Sequence, residues 1–163
     1  MTRARLTHLD REGRAAMVDV GRKAVTSRRA IAGCEIQMKP ETRRLLREGK
    51  IKKGDALTVA KVAGIMAAKK TSELIPLCHP LPLEHIDIRF VDEEKGRGLF
   101  VEAEVCTSSK TGVEMEALTA AAVAALTLYD MAKAVDPGIV ISGLRLLKKT
   151  GGKNDYSNPN GDH

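Results

Sequence analysis

Between residues 17 and 38 apolar side chains recur at loosely alternating positions: Val18, Val20, Val25, Ile31, Ile36 and Met38. That spacing predicts a strand. Pro40 then opens a short helical text, PETRRLLREG, with Glu41 at its positive end and Gly49 as its stop. KKGD leads into a second helix from Ala56 to about Lys70, rich in small and aliphatic residues. Further on, Ile86, Ile88 and Phe90 alternate with Asp87 and Arg89; after EEKGRG, Leu99, Val101, Ala103 and Val105 alternate with Glu102 and Glu104. Two such runs around a Gly-containing turn predict a hairpin with one buried face.

The stretch TGVEMEALTAAAVAALTLYDMAKAVDPG predicts the longest helix. Thr111 followed three residues later by Glu114 reads as a capping box, and Asp136-Pro137-Gly138 as a stop. The middle of this helix is apolar nearly all round, which predicts cover on two sides, by its own sheet and by a second subunit. Its apolar run, ALTAAAVAALTL, reads as too short and too alanine-rich to span a bilayer. A last strand is expected from Ile139 to Leu147. The order strand, helices, strand, strand, helix, strand predicts an α+β, ferredoxin-like (split βαβ) fold, an antiparallel sheet with helices packed on one face. The expected organisation is a flexible polar segment at 1–16, a single domain at 17–150 and a Gly/Asn-rich tail at 151–163.

One stretch fits neither period. In IPLCHPLP, Ile75 to Pro82, three prolines fix their own φ and push Ile75, His79 and Leu81 toward extended geometry. It reads either as a plain bend between a helix and a strand or as a rigid connector that aims Cys78 and His79 at something.

Composition narrows the field. The 163 residues are 43% hydrophobic and 29% charged, as in a soluble globular protein, but only 2% aromatic, so the core must be aliphatic. The net charge of +6 points to an anionic partner such as a nucleotide, a nucleic acid or a membrane surface. Three widely spaced cysteines, Cys34, Cys78 and Cys106, form no metal motif and read as free thiols of a reducing compartment. The N-terminal text has no apolar signal region, and the expected location is the cytoplasm. Lysines gather at Lys52/Lys53, Lys69/Lys70 and Lys148/Lys149 with Lys153. Converged, they would bind phosphate and depress one another's pKa; on separate faces they would be ordinary solvated side chains. KKTGGK can turn backbone N–H groups inward as an anion nest, or fray as a tail. Asp130 and Lys133 share a helix face, either as a surface ion pair or as a polar site.

A ferredoxin-like basic domain can also be an RNA-binding module, and KGRGLFV echoes an RNA-recognition motif. Arg97 and Leu99 stand where stacking rings are required, however, and the chain holds only two Phe and two Tyr.

MVDV at 17–20, KKGDALTVAKVAGIMAAKKTSELIPLCHPLPL, KTGVEMEALTAAAVAALTLYDMAKAVD and LLKKTGGK together resemble the MoaC family, the cyclic pyranopterin monophosphate synthases of molybdenum cofactor biosynthesis. The resemblance runs from about Leu6 to Lys153. It implies a lyase that converts (8S)-3′,8-cyclo-7,8-dihydroguanosine 5′-triphosphate to cyclic pyranopterin monophosphate with release of diphosphate. It further implies a ferredoxin-like fold and a hexamer, a trimer of dimers with sites at dimer interfaces. The positions matching the family's site are Leu77, Cys78, His79, Met115 and Glu116 for substrate, with Arg28 and Lys149 for phosphate. Lys53 and Lys133 would transfer protons, with Asp130 orienting Lys133. No metal, cofactor, nucleic acid or membrane is called for, beyond a divalent ion accompanying the triphosphate.

Overall fold

The computed structural model describes residues 12–93 and 98–159. The elements run β1 (Thr26–Gln37), α1 (Pro40–Arg47), α2 (Ala56–Lys69), α3 (Thr71–Leu74), β2 (His85–Asp92), β3 (Gly98–Ser109), α4 (Glu114–Ala132), β4 (Val140–Thr150) and β5 (Tyr156–Ser157). The strands form one antiparallel sheet in the order β2-β3-β1-β4-β5. The order of the first four strands, with helices between β1 and β2 and between β3 and β4, is the ferredoxin-like split βαβ arrangement.

Alternation in β1 decides which face is covered. Ala30, Ala32, Cys34 and Ile36 are all buried, and the Cys34 thiol donates to the Ala121 carbonyl of α4 at 3.8 Å. On α4, Ala117, Ala120, Ala121, Ala124 and Ala125 lose all solvent exposure. Small side chains here let backbones approach, so a core almost without aromatics can still be dense. The tightest point is Gly64 on α2, where a Cβ would collide with Ile88 and come within 2.8 Å of the Ala120 carbonyl oxygen. The opposite face of the sheet is charged. Arg29 grips Glu104 through two bonds of 2.7 Å, Arg145 reaches Glu35 at 3.1 Å, and Arg89 pairs with Glu102. By length and composition α4 could cross a membrane, unlike the sequence expectation, but half of that stretch is buried inside the protein.

Several expectations are corrected. The first strand begins at Thr26, not Met17, because Asp19 accepts the Gly21 N–H at 2.8 Å and the Lys23 N–H closes a turn on the Val20 carbonyl. Such local bonds compete with ladder formation. The capping box does not form: Val113 is the N-cap and makes no side-chain bond, while Glu114 turns to Lys149. β4 runs to Thr150 and turns at Gly151, whose φ of +82 favours glycine, so that Tyr156 and Ser157 add an edge strand. The first eleven residues of the polar N-terminal segment, positions 94–97 of the EEKGRG turn and the last four residues of the tail lie outside the described residues.

The helix stop has a second use. Asp136 is 1% exposed and accepts the Lys39 N–H at 2.9 Å, the Thr42 hydroxyl at 3.0 Å and the Gly138 N–H at 3.3 Å, tying the end of α4 to the start of α1. The Lys39 N–H above all holds its carboxyl below the usual range. Asp136→Ala is therefore expected to lower unfolding free energy by ~1–3 kcal/mol at neutral pH, because three donors lose their acceptor. A group with a depressed folded pKa stabilises above its unfolded pKa, near 4, and loses that contribution as pH falls through the folded value. The gap between wild type and variant in urea unfolding should therefore shrink below about pH 4; a gap independent of pH would remove the carboxylate from the account.

Candidate functional site

A cavity of about 500 Å³ lies where the start of β1, the connector after α3, the first turn of α4 and the β4–β5 turn meet. Seven of the sequence-predicted site residues line it: Arg28, Leu77, Cys78, His79, Met115, Glu116 and Lys149. The connector holds its position through bonds at both ends. Ile75 is extended (φ −111°, ψ 106°), as a residue before proline must be, and the Cys78 N–H closes a turn onto its carbonyl at 3.0 Å. Downstream, the buried Thr107 hydroxyl donates to the Pro82 carbonyl at 2.5 Å, and the Glu84 N–H bonds the Cys106 carbonyl at 3.0 Å. Cys78 and His79 thus sit, half-buried, on a wall held by the chain's own hydrogen bonds. Burial first, and then Glu116, pushes the Cys78 thiol up, so it offers a neutral S–H rather than a nucleophilic thiolate.

Glu116 is 4% exposed, and burial pushes its carboxyl up to about 7. It therefore passes between acid and carboxylate near neutrality; a carboxylate can accept the paired N–H donors of a guanine- or pterin-like ring edge. The rest of the cavity lining is mostly cationic. Arg28 donates to the Ser109 and Lys110 carbonyls at 3.4 Å each, and Lys149 bonds Glu114 at 3.0 Å. Lys23, Arg29, Lys110 and Lys153 complete the cationic lining. Sequence reasoning counted Lys153 but missed Lys23 and Lys110. Neither belongs to a lysine cluster; they arrive because the 18–23 segment folds back and Lys110 donates to the Gly21 carbonyl at 2.7 Å. The anion nest does not form as expected, since the Gly151 N–H is taken by Asp155 at 3.1 Å.

The other three site residues form a second cluster. The turn at Ile51–Gly54 closes with the Gly54 N–H on the Ile51 carbonyl at 2.9 Å, and its buried Ile51 anchors it to the core. It presents Lys53 to the end of α4, where Asp130 takes Lys53 at 2.9 Å and Lys133 at 2.7 Å. Hydrogen bonds from Lys133 and then Lys53 hold the Asp130 carboxyl down at about 2, and the same contact raises Lys133. Lys133 is thus raised rather than lowered, because a carboxylate stands beside it. None of the three lines the cavity. Of the clustered lysines, Lys52, Lys69, Lys70 and Lys148 stay outside it as well.

Fold and site together define a ferredoxin-like α+β protein with a cationic pocket. The open sheet face, where RNA modules carry stacking rings, here carries Glu35, Glu102 and Glu104, and Leu99 is sealed in the core. The chain belongs to the MoaC family, whose model matches residues 17–152. It is 57% identical over 150 residues to the cyclic pyranopterin monophosphate synthase of Thermomicrobium roseum, covering 92% of this chain and 90% of that one. The synthase of the same name from Chloroflexus aurantiacus is 55% identical over 155 residues (94% and 95% covered), and that of Brevibacillus brevis 58% over 148 (91% and 92%).

Proposed function

We propose that this chain is a lyase of molybdenum cofactor biosynthesis that converts (8S)-3′,8-cyclo-7,8-dihydroguanosine 5′-triphosphate to cyclic pyranopterin monophosphate and diphosphate. The observation that carries this reading is near end-to-end identity of more than half the residues with synthases of that name. The pocket chemistry supports it independently. Closing a cyclic phosphate at the α-phosphorus while diphosphate departs requires a hydroxyl to lose its proton, a leaving group to be neutralised and a purine-derived ring to be held. Arg28 and Lys149 serve the phosphates, Glu116 the pyrimidinone edge, and the Cys78–His79 wall the ring. Lys53 and Lys133 exchange protons, with Asp130 orienting both.

As a member of its family the chain acts on a small molecule and assembles as a homo-oligomer. A hexamer built as a trimer of dimers in the cytoplasm completes the proposal, with each site drawn from two subunits. Exposed Val59, Val62 and Met66 on α2 and Leu126 on α4 supply apolar surface for such contacts. Among the described residues no three His, Cys, Asp or Glu side chains gather to hold a metal. Incubation of the purified protein with the cyclised nucleotide should yield pyranopterin monophosphate and stoichiometric diphosphate. Absence of both products from folded, assembled protein would refute the assignment.

Arg28→Ala and Lys149→Ala should raise KM more than they lower kcat, and flatten the dependence of kcat/KM on ionic strength, because each removes a charge that attracts the phosphates. An unaltered salt dependence would place them outside the phosphate site.

A further inference from the structure

Glu114 is the one carboxylate of the pocket for which the proposed reaction has no use. It is the first residue of α4, and its Oε1 lies 3.0 Å from Lys149 Nζ, both side chains being partly shielded from water. Its carboxylate is folded down onto Gly112. A Cβ on that glycine would collide with Oε2 and stand 2.7 Å from Cδ, so the glycine leaves the space the carboxylate occupies. Apart from Arg29, which Glu104 holds from outside the pocket lining, the cationic lining is otherwise uncancelled. Arg28 and Lys110 bond only carbonyls, and among the described residues Lys149 alone of Lys23, Arg28, Lys110, Lys149 and Lys153 has a carboxylate partner.

We infer that Glu114 is a displaceable counter-ion: it holds Lys149 in place while the pocket is empty, yields it to the phosphate chain, and reclaims it as diphosphate leaves. The inference rests on the reading of this pocket as the phosphate site. Its physical basis is competition. An incoming polyphosphate carries several charges and outbids one carboxylate for the ammonium, whereas re-formation of the Glu114–Lys149 pair offsets part of the cost of losing the product. A pocket of bare cations would bind its product more tightly and release it more slowly.

The test is titration calorimetry of inorganic diphosphate into the natively assembled protein, without nucleotide and without turnover. Glu114→Gln keeps the shape and removes the charge, and it should bind diphosphate roughly three- to ten-fold more tightly than wild type. Lys149→Met should bind more weakly, and in that background Glu114→Gln should add nothing, since the two act as one pair. Equal or weaker binding by Glu114→Gln would make the carboxylate a plain strut and overturn the inference alone. So would a gain that survives Lys149→Met, because the charge would then act diffusely. Failure of wild type and Glu114→Gln alike to bind diphosphate would overturn the inference together with the phosphate-site reading.

Discussion

Alanine at Lys53 or at Lys133 should lower turnover by about 10²–10⁴-fold, the range that general acid–base groups supply, while circular dichroism and native mass stay unchanged. Both ammonium groups are largely exposed and end on one carboxylate, with Asp130 2.7 Å from Lys133 and 2.9 Å from Lys53. Exposed pairs of this kind contribute little to folding, so their loss should be read in catalysis rather than in stability. In the chain by itself Asp130 keeps Lys133 protonated, since the contact raises that lysine and holds the carboxyl at about 2. In the proposed reaction Lys133 would therefore begin as a proton donor, and would become a base only if substrate drew it from Asp130. Single-turnover measurements on the cyclised nucleotide decide the matter. Near wild-type turnover in either variant would strip that lysine of its role.

Mixing two dead proteins should restore activity. Glu116 and Asp130 stand fourteen residues apart at opposite ends of α4, which at 1.5 Å per residue is about 21 Å. Glu116 lines the cavity and Asp130 does not, so one compact nucleotide reaches both only if they come from different subunits. Glu116→Ala and Asp130→Ala should each be inactive. After subunit exchange, each mixed dimer would hold one intact site and one carrying both lesions. Random pairing makes half the dimers mixed, so about one quarter of wild-type activity should return. No recovery, with exchange proven by native mass spectrometry, would defeat the shared-site arrangement.

Particular residues mark how far the sequence could be read. The hairpin of β2 and β3 and the helices at Pro40 and Ala56 were legible because their signals are local: a period, a proline in a first turn, a glycine stop. The connector around Cys78 and His79 was legible for the same reason, since proline restricts its neighbours whatever the context. The capping box at Thr111 misled, because Glu114 found a charged partner thirty-five positions away in Lys149. Lys23 and Lys110 gave no signal, as only the folding back of the 18–23 segment brings them to the pocket.

What the sequence determined by itself was the order of the first four strands and the helices between them, the aliphatic core and, through long ordered motifs, the family. Those features reside in periodicity and residue identity, which survive without coordinates. Tertiary structure alone decided that ten candidate residues form two clusters rather than one, and that Glu116 is buried enough to titrate near neutrality. It also decided that Asp130, which the sequence set beside Lys133, bridges Lys53 as well. Charge state and site membership depend on distance and solvent access, and both are fixed only when strands and helices far apart in the chain pack together.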